Sequence, residues 1–193
     1  MVNSSPLASP LSMVAALKAT PSKSDVLSWL AQWDLLDENY GPGHRASLEQ
    51  ALLKTIGQGG REGFRSAWTV ALLVEGKKWK AEGLEVALLS LLQVAPDGGT
   101  QRELIRSMLG LVLSANGIQF LLDWAVEVVH LPSCPMAFGQ QSLRIIERAI
   151  QRLDKGPIQS DKRVVPALQC VRQSSNFKGH HKKKAALLMA RLS

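Results

Sequence analysis

Apolar residues in this chain recur at every third or fourth position, a spacing that suits helices and not strands. Val26, Leu30, Trp33 and Leu36 keep it, as do Leu48, Ala51, Leu52 and Ile56. Phe64, Ala67, Trp68, Ala71 and Val74 repeat it, followed by Leu84, Ala87, Leu88, Leu91 and Leu92, and then by Ile105, Met108, Leu109 and Val112. No alternating run of strand type is longer than four residues. Because a helix turns once per 3.6 residues, each set falls on one face, and that face must be buried against another element. The expected fold is all-α, a compact multi-helix bundle of eight to ten helices.

Cap and breaker residues divide the pattern. Met1 to Pro21 mixes Ser and Pro around one short apolar patch and reads as a loose arm with at most a short helix. Ser24 is placed as an N-cap with Asp25 in the first turn. Ser47 with Gln50, and more clearly Thr100 with Glu103, have the spacing of a capping box. Gly57 to Gly60, Gly76, Ala95 to Gly99 and Asn116-Gly117 read as stops or turns. Phe120 to Val129 is apolar on nearly every side. After Pro135, Leu143, Ile146, Ile150 and Leu153 face inward while Arg144, Arg148 and Arg152 line the outside. Val164 to Val171 and His180 to Leu192 make two short final helices. The expected organisation is a flexible arm over 1–22, a helical domain over 23–176 and a basic C-terminal segment with a short helix over 177–193. Helix pairs beginning near residues 60, 98 and 137 are spaced by 38 and 39 residues. That period is similar to stacked helix pairs of the HEAT and armadillo kind, so a short solenoid is the alternative.

Hydrophobic content is 46% and charged content 20%, which places the chain among globular proteins and against disorder throughout. The two cysteines, Cys134 and Cys170, lack CxxC spacing and read as free thiols of a reducing compartment. The N-terminus lacks the basic start of a signal peptide. The longest uncharged stretch, Ser107 to Leu122, is interrupted by polar residues, and no transmembrane segment is expected. The expectation is an intracellular protein of the cytoplasm, the nucleus or both.

Charge is distributed unevenly. Residues 155–193 hold nine basic side chains against Asp161 alone, while the preceding chain is close to neutral. The Lys178-Gly-His-His-Lys-Lys-Lys184 run is the sharpest feature. Lys178, His180, His181, Lys182, Lys183 and Lys184 are candidates for neutralising phosphates and releasing counterions, or for nuclear import. Arg144, Arg148 and Arg152, four apart, stack on one helical face and offer planar donor forks to phosphate. Glu147 is close enough in sequence to pair with either of the first two, and a solvated polar face is the competing explanation. Lys77, Lys78 and Lys80 surround Trp79, an arrangement able to stack a base, although such a tryptophan more often packs inward. Trp29 and Trp33, four apart, are candidates for a protein-binding surface, with core packing as the alternative.

Catalytic constellations are not found. Asp123 and Glu127 share a helical face without a histidine in local reach. His180-His181 and the two cysteines lack metal-ligand spacing, and Gly57 to Gly63 lacks the GK[ST] ending of a phosphate loop. The sequence therefore points to a non-enzymatic basic helical protein, without cofactor or metal, that contacts the phosphates of nucleic acid, RNA favoured, without base specificity. The alternative is a helical protein-interaction adaptor using a groove or the tryptophan surface, with the basic tail for import or for an acidic protein surface. A small viral accessory or structural protein would combine both behaviours, and self-association is compatible with either.

Overall fold

A computed structural model describes residues 5–79, 83–95, 97–131, 134–153, 158 and 161–192. Among the described residues there are eleven α-helices, one 3-10 turn and no strand, one helix more than the upper bound of the sequence expectation. The chain divides into two compact units, Met1–Leu111 and Val112–Ser193.

The N-terminal unit holds α1 (Pro10–Lys18), α2 (Lys23–Ala31), the 3-10 turn Trp33–Leu35, α3 (Leu36–Tyr40), α4 (His44–Gln58), α5 (Gly60–Glu75), α6 (Leu84–Val94) and α7 (Gly98–Gly110). The extra order lies where a loose arm was expected. Pro10 sets the backbone angle of the first turn of α1, and Ser9 and Ser12 exchange side-chain-to-backbone hydrogen bonds of 2.9 and 3.1 Å. Leu7, Met13 and Leu17 are buried, and the helix packs on α4 and α5. His44 on α4 also holds the Leu7 carbonyl at 2.7 Å. The cap of α2 is Ser22, not Ser24, because Ser22 and Asp25 satisfy each other's backbone N–H groups.

α5 is the centre of this unit. It buries nine residues from Gly63 to Val74 and packs against α1, α2, α4 and α7. A Cβ at Gly63 would stand 3.1 Å from the Thr55 carbonyl, so the glycine sets how near α4 and α5 approach. The chain turns between them at Gly59 and Gly60, both in the left-handed region. At α7 the expected Thr100–Glu103 box does not form. Asp97 caps instead, accepting from the Thr100 N–H and hydroxyl at 2.8 Å each. Glu103 is buried, with Arg102 and Arg106 each 3.0 Å from one of its oxygens, and Arg106 Nε reaches Glu75 at 2.6 Å.

The C-terminal unit holds α8 (Ala115–Val128), α9 (Met136–Arg152), α10 (Val164–Gln173) and α11 (Gly179–Leu192). Asn116-Gly117, expected to stop a helix, lies in the first turn of α8, because Ser114 accepts the Gly117 N–H at 3.1 Å and caps the new helix. α8 packs along α9, and both contact α10. α11 rests on α9 and α10 through His181, Ala185 and Leu188, so the final segment belongs to the core of this unit. The inner face of α9 starts earlier than the periodicity indicates. Phe138, Gly139, Gln141, Ser142, Ile145 and Ala149 are buried beside Leu143 and Ile146, while Ile150 and Leu153 are half-buried.

Candidate anion-binding surface

The division into units sharpens the charge pattern. The N-terminal unit has eleven basic and eleven acidic side chains; the C-terminal unit has twelve basic and five acidic. The whole surplus of +7 thus belongs to the C-terminal unit.

Two of its helices carry the candidate residues. On α9, Arg144 and Arg152 are exposed and Arg148 is half-buried. Burial lowers the proton affinity of Arg148, and repulsion from Arg152 and Arg144 lowers it further, so the three guanidinium groups share one positive field. Arginine stays charged at neutral pH despite such a shift. Glu147, the acid expected beside this stripe, accepts from Lys184 Nζ of α11 at 2.6 Å. That ion pair ties α11 to α9, and it directs the acid towards a lysine of the tail.

The tail residues separate accordingly. Lys178, His180 and Lys183 are exposed, Lys182 and Lys184 are half-buried, and His181 is buried. His181 is thus enclosed and does not present its ring to solvent. Along the outer side of α11, Lys183 is followed by Leu187, which is 66% exposed, and Arg191. Arg163, which with Lys162 forms a second small basic cluster upstream of the tail, is held beside α8 by two carboxylates. Its guanidinium donates to Asp161 and to Asp123 at 2.6 to 2.9 Å, and the two carboxylates raise its proton affinity. Asp123 is partly exposed and Glu127 exposed, so the carboxylate pair that sequence placed on an apolar helix does not share a buried site.

The remaining candidates lie in the N-terminal unit. Lys77 is exposed in the left-handed region, Lys78 pairs with Asp34, and Lys80 lies outside the described residues. Trp79 is buried, 3% exposed, so its indole packs inward and is not offered for stacking, and its backbone N–H donates to the Leu73 carbonyl. Trp33 is fully enclosed while Trp29 is half-buried, so the two do not form one exposed aromatic surface. Near Trp33, burial raises the proton affinity of Glu49, and the Trp33 indole opposes that rise.

An open depression of about 430 Å³ lies in the C-terminal unit, lined by Val126, Glu127, His130, Lys162, Arg163 and Pro166. Among the described residues no cluster of three or more His, Cys, Asp or Glu is placed to hold a metal, and no helix is long and apolar enough to cross a membrane. Fold and surface define an all-α protein of two helical units with its charge surplus confined to one. Comparison with protein-family models, with curated proteins and with solved structures found no match.

Proposed function

We propose that the C-terminal unit binds the phosphate backbone of nucleic acid, RNA favoured, without base specificity and without catalysing a reaction. The observation that carries this reading is the confinement of the +7 surplus to one unit whose α9 arginines and α11 lysines are held on packed helices. Helices hold cations at fixed spacing, so less side-chain freedom is lost when a polyanion docks. Arg144, Arg148 and Arg152 supply forked donors, while Lys178, Lys182, Lys183 and the exposed His180 supply charge. The Lys178–Lys184 segment also fits nuclear import. The two free thiols and the basic run support work in the cytoplasm or nucleus.

The test is a titration of the intact chain with labelled single- and double-stranded RNA over a salt series. A Lys178→Gln, Lys182→Gln, Lys183→Gln variant keeps the packed α11, which truncation would remove. For single strands each neutralised phosphate contributes a slope of about 0.7 in log K against log salt. The variant should flatten that slope by up to about 2. Binding that ignores salt, or an unchanged slope, overturns the proposal.

A second reading assigns the N-terminal unit to protein docking. It is supported by the charge balance there and by exposed apolar residues, Leu11 at 84% and Val86 and Val94 at 67% each. Sedimentation of the chain across a concentration series, and again after Leu11→Ser with Val86→Ser, tests whether the partner is a second copy. We read the N-terminal unit as a bundle and not a solenoid turn, because α5 packs against α1 and α2 as well as its neighbour in sequence.

A further inference from the structure

His181 stands at the third position of α11, 4% exposed, and neither of its ring nitrogens has a hydrogen-bond partner. A neutral imidazole leaves one donor and one acceptor unsatisfied there. An imidazolium would bury two donors and a full charge. The ring is edge-on to Phe177 at 6.3 Å and lies 3.9 Å from the ring of His180. Phe177 in turn rests where α9 has no side chain, for a Cβ on Gly139 would stand 2.0 Å from its ring.

Among the described residues, the groups on the elements packed around His181 offer no counterion. On its own segment lie Lys178, His180, Lys182, Lys183 and Lys184, all cations or proton acceptors. The packed partners of α11 are α9 and α10. The single acid on those two helices is Glu147, which Lys184 already holds at 2.6 Å, and the charged residue of α10 is Arg172, directed to the Met189 sulfur. Burial, His180 and Lys178, in that order, lower the proton affinity of His181.

We propose that His181 is a proton-operated latch: neutral, it keeps the first turns of α11 seated on α9 and α10, and protonated, it releases them. The sign follows from linkage. A base whose proton affinity is lower folded than unfolded stabilises the docked state at neutral pH, and loses that contribution as pH falls below the ordinary histidine value near 6.5. Acidification would free the Lys178–Lys184 segment from its seat and add positive charge to it at the same time. The latch does not depend on what the basic surface binds, and its test uses no nucleic acid.

The experiment follows histidine ring signals and backbone amide exchange in the full chain from about pH 7.5 to about pH 5, on either side of the ordinary histidine value. Expected is a His181 ring that titrates below the ordinary histidine value, with amide protection over residues 181–188 falling at least about tenfold, after correction for the intrinsic pH effect, as it does so. In His181→Leu that protection should persist across the range. Protection that stays constant through the His181 titration, or that falls equally in the leucine variant, overturns the latch. Should the leucine variant not fold, the coincidence of ring titration and amide release in the natural chain decides alone.

Discussion

Gly139→Ala tests how closely the chain after α10 is fitted to α9. In a bare helix the change is favourable by about 1 kcal/mol, because alanine is the better helix former. Here the new Cβ would meet Phe177 carbons at 2.0, 2.6 and 2.7 Å, far inside an ordinary carbon contact of about 3.5 Å. Phe177 is buried, so its ring must tilt out of its seat or α9 must shift. Overpacking of this kind costs about 1–3 kcal/mol, and we expect a net loss of about 1 kcal/mol after the helix gain. Phe177→Ala alone should cost about 3–5 kcal/mol. Once that ring is gone, the alanine at 139 has space and its effect should reverse to a gain of about 0.5–1 kcal/mol. The four proteins form a double-mutant cycle with a coupling energy of about 2 kcal/mol. Urea unfolding followed by tryptophan fluorescence measures it, since Trp124 lies against Phe138 in the same unit. Equal effects of the alanine with and without Phe177 would refute the contact.

Glu147→Gln should leave stability within about 1 kcal/mol, since the Lys184 pair is partly exposed, yet strengthen RNA binding two- to five-fold at low salt, with the gain vanishing at high salt. Glu103→Ala removes a buried carboxylate that holds two arginines and should cost about 1–3 kcal/mol by chemical denaturation. Arg163 lowers the proton affinity of Asp161, so the stability this carboxylate contributes is complete above its unfolded value near 3.9 and is lost as pH falls through the lower folded value. Arg163→Gln should return the Asp161 titration towards the ordinary range, as read from its carboxyl carbon signal.

Helix content was legible because burial follows a 3.6-residue period, and the faces of α4 and α5 carry it in plain view, whereas Val112, expected on the inner face of α7, lies past its end and is 81% exposed. Helix starts were less legible. Asp97 and Thr100 compete for one role, and a carboxylate, as the stronger acceptor, takes the cap, leaving Glu103 to the arginines. Ser114 similarly turns Asn116-Gly117 from a stop into a first turn. Contacts between residues distant in sequence left no local signal: Glu147 and Lys184 are 37 positions apart, and Arg163 and Asp123 are 40 apart. The tail misled for a related reason. Its lysines suggest a helix start left in solvent, but His181, Ala185 and Leu188 recur at helical spacing and bury one side of it. Trp33 shares a spacing with Trp29, yet it also continues the inner face of Val26 and Leu30, and that face is what the core buries.

The uneven charge makes the ionic medium part of the folding equilibrium of one unit and not the other. Twelve basic against five acidic side chains repel one another in the C-terminal unit, whereas the N-terminal unit is at charge balance. Screening salt, or a multivalent anion such as inorganic polyphosphate, relieves that repulsion selectively. An anion that settles on the folded unit at a hundred times its dissociation constant adds about 2.7 kcal/mol to its stability. Heating the chain with and without polyphosphate should therefore separate the melting of α8–α11 from that of α1–α7, with the surrounding anions acting as a reversible brace on the basic half alone.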